Sequence, residues 1–314
     1  MTLPTALARR WGHLRFIKRQ GAHEYSAECP KCHDYDHVSR HGHPDRFRMF
    51  DDLKPRGWCR RCGLFAFADD DRRNFKPDPA VVEQFRVEQL EAERRRRDEA
   101  ERAIGLLQKD ALWLRWHQEM PTDAQIWWTE KGVPSEWQKR LKLGFCPDKA
   151  MWFDGVEHST ATYTIPVFDT GWKLVNLRHR LATPMNGCKY RPDRAGLPQA
   201  LYLTDPENPI GDYVVAVEGE VKAIVVRVAL EDTERVSVVG LPGKTPSDEL
   251  LSRLDHAGRI VLILDPDADP ATIAARWRPR SRVVRLPTKV DDALLQYGLR
   301  RDALRRAIRK AKPE

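Results

Sequence analysis

The sequence predicts a mixed α/β protein built as a small metal-bound β unit, a charged helical linker and a larger body that closes in a parallel sheet. Three observations carry this reading. Two CxxC pairs, Cys29/Cys32 and Cys59/Cys62, stand near the amino end. Arginine and glutamate alternate at helical spacing from 78 to 102. From Tyr213 onward short apolar runs alternate with helical segments, the pattern of strands buried on both faces. The resulting division is 1–72, a ribbon; 73–105, the linker; 106–210, an amino-terminal part of the core; 211–300, the parallel-sheet domain; and 301–314, a basic tail.

At 314 residues the chain can bury more than one core. Lysine and arginine outnumber aspartate and glutamate by 54 to 46, so the net charge of +8 favours a polyanionic partner over a membrane. No apolar run approaches the ~18–20 residues of a membrane span, and the opening "MTLPTALARRWGHLRF" lacks the marks of a secretion signal. The expectation is a soluble cytoplasmic protein.

In a reducing compartment, paired CxxC motifs point to metal rather than to disulfides. Each pair can form a knuckle that presents two thiolates to one ion. Four thiolates, Cys29, Cys32, Cys59 and Cys62, complete the tetrahedral shell of one structural Zn2+. The 26-residue spacer holds His33, His37, His41 and His43, any of which could replace a cysteine. Such a unit offers little apolar core, so the metal would supply much of its folding energy. Around the knuckles Arg48, Arg56, Arg60 and Arg61 mix with Phe47, Phe50 and Trp58, a combination suited to unpaired bases and their phosphates. Phe65 and Phe67 alternate as the inner face of a short strand. Cys146 and Cys188 have no evident base partner and read as core or surface thiols.

The linker opens with Asp78 as N-cap and Pro79 at the first helical position. Glu91/Arg95 and Glu93/Arg97 are spaced for ion pairs along a solvated helix. The interleaved glutamates make "RRRR" part of that charged face rather than a nucleic-acid site. Residues 103–148 carry helical segments with five tryptophans. Residues 162–181 form a hairpin pattern about Asp169-Thr170-Gly171, followed by a basic loop, "MNGCKYRPDRAG".

In the parallel-sheet region, "YVVAV", "VSVV", "RIVLIL" and "RVVRL" are the strands. Glu218, Asp265, Asp267, Asp291 and Asp292 all follow strand ends, so they gather at the carboxyl edge where open sheets bind ligands. Carboxylates crowded there would repel unless cations compensated them. One or two magnesium ions, which take oxygen ligands and can hold attacking and leaving oxygens in phosphoryl transfer, resolve the conflict. "GLPGKT" at 240–245 is not a Walker loop, since Val238 stands where the first glycine is required.

The motifs "VVAVEGEVKAIVV", "VVGLPG", "VLILDPDADP" and "RLPTKVDDALLQYG" resemble the successive motifs of a Toprim domain. "IPVFDTGWKLVNLRHR", "KYR" and "LYL" resemble the amino-terminal half of the RNA polymerase core of DnaG-type bacterial and phage primases. "WWTEKGVPSEWQKRLKLGF" is similar to the helical segment preceding it in phage primases. The resemblance implies a nucleotidyltransferase that makes short RNA primers on single-stranded DNA from ribonucleoside triphosphates, using Mg2+ or Mn2+. It implies Glu218 as metal ligand or base, Asp265 and Asp267 as metal ligands, and Asp292 as the distal acid, with Asp291 its less certain neighbour. Arg178, Arg180, Lys189 and Arg191 fall in its template- and nucleotide-binding motifs. A separate replicative helicase is an expected partner, since no helicase domain accompanies these motifs. Two alternatives share these features: a Toprim nuclease or recombination factor, and a non-catalytic single-strand-binding protein. Asp269 departs from the primase pattern, and either a third magnesium ligand or an N-cap for the helix at Pro270 accounts for it.

Overall fold

The structure is a computed structural model that describes residues 3–31, 47–52, 54–59, 62–68, 79–153, 155–233, 236–243 and 246–313. It divides into two compact units, Met1–Arg95 and Arg96–Glu314.

The first unit starts with helix α1 (Thr5–Trp11) and continues as an antiparallel meander of β1 (Lys18–Arg19), β2 (Glu24–Ala27), β3 (Phe47–Phe50), β4 (Arg56–Cys59) and β5 (Phe65–Phe67). Alternation along the strands puts Tyr25, Ala27, Phe47, Met49 and Cys59 on one buried face, where Leu7 and Trp11 of α1 join them. Gly57 has no room for a side chain, because a Cβ there would collide with the Phe47 ring. This core is larger than the sequence suggested. The added mass is α1, whose Leu7 and Trp11 are only four positions apart and so share one helix face.

The opposite face of this meander is polar and aromatic. The register sets Arg48 against Trp58, Trp58 against Phe65, and Phe50 against Arg56. Phe65 and Phe67 were expected to point inward; instead Phe65 is 51% exposed and the two rings meet edge to face at 5.2 Å. The buried side is already filled by the rings of Phe47 and Trp11.

Helix α2 (Pro79–Asp110) begins in the first unit and ends in the second. Asp78, its expected cap, lies outside the described residues. In the second unit α3 (Leu112–Gln118), α4 (Thr122–Glu130) and α5 (Ser135–Arg140) lead into a four-stranded antiparallel sheet. Its strands, in spatial order, are β6 (Gly144–Phe153), β7 (Val156–Phe168), β8 (Leu174–Met185) and β9 (Cys188–Pro192). The hairpin of β7 and β8 follows the expected pattern. Strand β6 begins inside a stretch read as helical, because its bulge between Cys146 and Lys149 interrupts the alternation. Strand β9 runs through the segment read as a loop; "CKYRP" shows no apolar face and is recruited by backbone pairing with β8.

One polar knot pins this sheet. His179 of β8 is fully buried, with Nδ1 2.8 Å from Thr162 Oγ1 and Nε2 3.0 Å from Asp193 Oδ1. Asp193 also accepts from Lys149 Nζ at 2.6 Å and Arg194 Nε at 2.9 Å. Burial pushes the His179 pKa down against the pull of Asp193. Burial works to raise the Asp193 carboxyl, yet the hydrogen bonds from His179, Lys149 and Arg194 hold it well below the usual range. Both depressed values mean that the unfolded chain binds more protons than the folded one in acid. Stability from this knot is therefore full above the ordinary histidine pKa of about 6.5 and falls as the pH drops below it. His179→Ala should cost about 2–4 kcal/mol at pH 7.5, since it strands Thr162 and one contact of Asp193. It should also flatten the loss of stability between pH 6.5 and pH 5, read by urea denaturation.

The chain then builds a second sheet from β10 (Tyr202–Leu203), β11 (Tyr213–Glu218), β12 (Val236–Leu241), β13 (Arg259–Ile263) and β14 (Ser281–Val283). The spatial order is β10-β12-β11-β13-β14, parallel except for β10. Helices α6 (Glu220–Ala229), α7 (Asp248–Ser252), α8 (Pro270–Ala274), α9 (Val290–Leu295) and α10 (Arg301–Lys310) accompany it. Alternation along the strands fills two cores. Val215, Val217, Val261 and Ile263 pack on one side with Ile224 of α6 and with Trp128, Leu141 and Ile165. Val214, Ala216, Ile260 and Leu262 pack on the other with Leu250, Ile273 and Trp277. Both sheets of this unit thus share a core, and the first of the two packs β8's neighbour β7 against the parallel strands. Among the described residues no helix is long and apolar enough to cross a membrane.

A candidate zinc centre and a candidate nucleotide cleft

The thiol cluster forms where β4 ends. The sulfurs of Cys29, Cys59 and Cys62 all lie within 4.8 Å of one another, and those of Cys29 and Cys62 are 3.7 Å apart. The Lys31 amide donates to Cys29 Sγ at 3.4 Å, a contact that favours the thiolate. Three converging soft ligands fit a structural zinc ion. Cys32, His33, His37, His41, His43, Arg60 and Arg61 lie outside the described residues. Arg48 and Arg56 do not stand alone: Arg48 pairs with Glu24 at 3.1 Å, and the Arg56 guanidinium covers the Phe50 ring at 4.8 Å.

The second site lies in the larger unit, at the carboxyl edge of the parallel sheet. Residue pairing sets Val217 of β11 beside Ile263 of β13, so Glu218 and Asp265 emerge from adjacent strand ends. Gly219 follows at φ +87°, a left-handed turn that lets α6 start at once. Helix α6 then presents Glu220, 9% exposed, which pairs with Arg178 Nε at 3.4 Å. Lys222, in the first turn of α6 and four positions after Glu218, reaches across to Asp265 Oδ1 at 2.5 Å. Lys289, just before α9, approaches Asp265 Oδ2 at 3.8 Å.

The chain's own cations thus meet the acidic edge. Asp265 is buried at 7% exposure, yet its charge is balanced by two ammonium groups of the chain itself. Among the described residues, only the three cysteines bring three potential metal ligands within 4.8 Å of one another. Asp267 is exposed on the turn beyond β13. Asp269 caps α8: its Oδ1 accepts from the Ala271 amide and its Oδ2 from Thr272 Oγ1, both at 3.0 Å.

A cleft of about 400 Å³ opens above this edge. Lys131, Arg178, Arg180, Lys189, Lys222 and Lys289 line it from one set of elements. Glu218, Glu220, Asp291 and Asp292 supply its carboxylates, which leaves an excess of positive charge suited to a polyphosphate. Strand β8 points Arg178 and Arg180 inward together because they are two positions apart. The Arg180 guanidinium lies 4.5 Å over the Trp127 ring, which stacks at 3.6 Å on Tyr163. Burial pushes the neighbouring Tyr190 hydroxyl up to about 12, so it stays a neutral donor. Arg191 faces away: it pairs with His179 across the sheet and covers the Phe153 ring at 4.7 Å. Asp265 and Asp267 do not line the cleft itself.

Asp291 lies in the first turn of α9. Its Oδ1 is buried with no hydrogen-bond partner. Burial raises its pKa, Lys222 opposes that, and the charge of Asp292 adds to the rise. Glu218 and Asp292 line the same cleft, though among the described residues no three carboxylate oxygens converge there. Sequence reasoning passed over Lys222, Glu220 and Lys131. The available signal for Lys222 was a single cation in the otherwise apolar helix "VKAIVV", four positions after Glu218.

Together a ribbon with clustered thiols and a parallel sheet with a basic cleft define the fold of the zinc-binding and RNA polymerase domains of DnaG-type primases. The solved structures that share it include the zinc-binding and RNA polymerase domains of the Aquifex aeolicus primase, at 14% identity and a TM-score of 0.51, over 95% of this chain and 81% of that one. The RNA polymerase domain of Mycobacterium tuberculosis primase DnaG, in complex with double-stranded DNA, matches at 16% identity and a TM-score of 0.52, over 68% and 82%. A DnaG primase catalytic domain bound to single-stranded DNA matches at 15% and 0.52, over 70% and 83%. No family model matches the chain, and no curated protein matches it in sequence. At such identities the likeness is one of fold.

Proposed function

We propose that the chain is a primase: a nucleotidyltransferase that joins ribonucleotides into short RNA on single-stranded DNA. The observation that carries this is the cleft, where Arg178, Arg180 and Lys189 of the antiparallel sheet face Glu218, Asp291 and Asp292 at the carboxyl edge of the parallel one. Cations that can hold triphosphates or a template strand thus face acids that can hold a divalent ion, across a space of nucleotide size.

In this reading the Toprim-like edge supplies Glu218 and Asp292 as the working acids, with Asp265 buried beside the cleft. Arg178, fixed by Glu220, and Arg180, braced on Trp127, would orient the triphosphate of the incoming nucleotide. Glu218 would hold or accept the proton of the attacking 3′-hydroxyl. Glu218 and Asp292 would be the residues to hold magnesium, which when bound would supply neutralisation of the phosphate charge. Asp265, between Lys222 and Lys289, would keep those ammonium groups in place beside the leaving group. Asp269 acts as a helix cap. The exposed Trp58 and Phe65 on the ribbon, with Arg48 and Arg56 beside them, would take unpaired template bases.

The test is to incubate the protein with magnesium, labelled ribonucleotides and single-stranded DNA. Short RNA is the expected product. Cut DNA would instead favour a nuclease, and a shifted band alone a binding protein. Trp58→Ala or Phe65→Ala should each weaken DNA binding by about 1–3 kcal/mol while leaving zinc content unchanged. Binding should also fall steeply between about 50 and 200 mM salt, as measured by fluorescence anisotropy.

A further inference from the structure

Helix α10 and its flanks carry most of the chain's net charge. Residues 300–312 hold seven lysines and arginines against one aspartate, +6 of the net +8 of all 314 residues. The helix is fixed to the body rather than trailing from it. Leu304 and Ile308, 0% and 3% exposed, sink one stripe into the core under the parallel sheet. At its carboxyl end Arg259, the first residue of β13, donates to the carbonyls of Ile308 and Arg309 at 3.1 and 2.9 Å. A cation so placed satisfies the last carbonyls and complements the helix dipole. Just past the helix, the Val283 amide of β14 donates to the Lys312 carbonyl at 3.1 Å.

The face turned away from that stripe is cationic and uncompensated. Asp302, its one acid, lies 3.5 Å from Arg305, which also meets Asp232 at 2.9 Å. Arg301, Arg306, Arg309 and Lys310 are exposed and, among the described residues, form no ion pair. Arg301/Arg305, Arg305/Arg309 and Arg306/Lys310 are each four apart, so like charges meet on successive turns and destabilise the helix. A solvated helix face avoids this by interleaving acids, as α2 does with Glu91/Arg95 and Glu93/Arg97. A polyanion lying along α10 would relieve the repulsion. Residues 300–312 include no aromatic ring. Single strands are held on rings as well as on cations, a pairing the ribbon face offers, whereas a duplex hides its bases and is gripped by its phosphates. Arg259 sets α10 at the starting edge of the parallel strands, and the cleft lies past their far ends. The six residues of β11 put these edges roughly 17 Å apart. An RNA–DNA hybrid would begin at the cleft, so the occupant that suits this separate face is double-stranded DNA.

We propose that α10 is a docking surface for double-stranded DNA, which Arg301, Arg306, Arg309 and Lys310 grip through its phosphates at the edge of the sheet opposite the cleft. The surface is independent of the chemistry at the cleft.

The test is fluorescence anisotropy of a labelled blunt-ended DNA duplex with the zinc-loaded full chain, over about 50 to 200 mM salt. The triple variant Arg306→Ala/Arg309→Ala/Lys310→Ala should bind the duplex at least about 10-fold more weakly and lower the slope of log affinity against log salt by about 3. Its unfolding temperature should be unchanged or raised, because the substitutions remove like-charge contacts and leave Leu304 and Ile308 in place. Single-stranded DNA, which the ribbon and cleft would hold, should lose less than about 3-fold. Arg94→Ala/Arg95→Ala/Arg96→Ala in α2 removes the same charge and should leave duplex binding within about 2-fold of native. No duplex binding by the native chain, an equal loss in the α2 variant, or an equal loss for single strands would each overturn the proposal. Tighter binding of poly-glutamate, or of an RNA–DNA hybrid of the same length, would assign the face to another partner and overturn it as well. Because the measurement needs no primer synthesis, a protein that makes no RNA yet binds duplex through α10 would sink the primase reading and leave this one standing.

Discussion

Glu218→Gln and Asp265→Asn should each lower primer synthesis by at least about 100-fold, a barrier increase of about 2.7 kcal/mol. Both changes keep the shape of the side chain and remove its charge. Glu218 ends a central strand whose backbone pairs with β12 through Leu241, so the substitution should not disturb the sheet. Asp265→Asn is the more invasive change, since it leaves Lys222 and Lys289 near a neutral amide. Some loss of stability in the second unit is expected from breaking a largely buried pair. Asp265→Ala should abolish synthesis outright, with zinc content unchanged because the thiols belong to the other unit. The measurement is incorporation of labelled ribonucleotide on single-stranded DNA, with zinc content and thermal unfolding recorded alongside. Near-native synthesis in either charge-neutral variant would remove that residue from the site.

Removing the ribbon's metal should have the second large effect. The sulfurs of Cys29, Cys59 and Cys62 converge within 4.8 Å of one another, an arrangement that a bound ion would tie together. Structural zinc contributes about 10–16 kcal/mol of binding free energy in small zinc peptides, more than a unit of this size holds in net stability. Chelation, or Cys59→Ser, should therefore unfold β4 and β5, and with them the face that carries Trp58 and Phe65. The core under α1 would slow this loss without preventing it, because Phe47 and Gly57 pack across the same β3–β4 pair that the thiols anchor. Calorimetry is expected to show the first unit's transition vanish on chelation and the second unit's transition stay. An unchanged first transition would mean that the apolar core alone holds the ribbon.

Much of this architecture is legible from the chain. The parallel strands announce themselves because both faces are buried, which leaves uninterrupted runs such as "RIVLIL", and the cysteine pairs specify a metal by spacing alone. The features that escaped are those whose cause lies in partners distant in sequence. Strand β9 has no apolar face and exists through its pairing with β8. The bulge at Cys146–Lys149 hides β6 from any alternation test. Phe65 looks like a core residue in isolation and is exposed because Phe47 and Trp11 occupy the space beneath the sheet. At the site, the acids were visible as residues that end strands. Their compensation was not, since Lys222 reaches Asp265 over 43 positions of sequence through the crossover of β11 and β13. The expectation of metal at Asp265 came from the negative charges alone, to which the structure adds that lysine.

The cleft is proposed to join two ribonucleotides by attack of one 3′-hydroxyl on the α-phosphate of the next, with pyrophosphate leaving. A product begun in this way keeps the triphosphate of its first nucleotide and loses that of every later one. Parallel reactions with γ-labelled and α-labelled ATP on a single-stranded DNA template test this directly. Short RNA carrying the γ label at its 5′ end only, dependent on both template and magnesium, is expected. Label in RNA from the α position alone, or no RNA with either label, would contradict it.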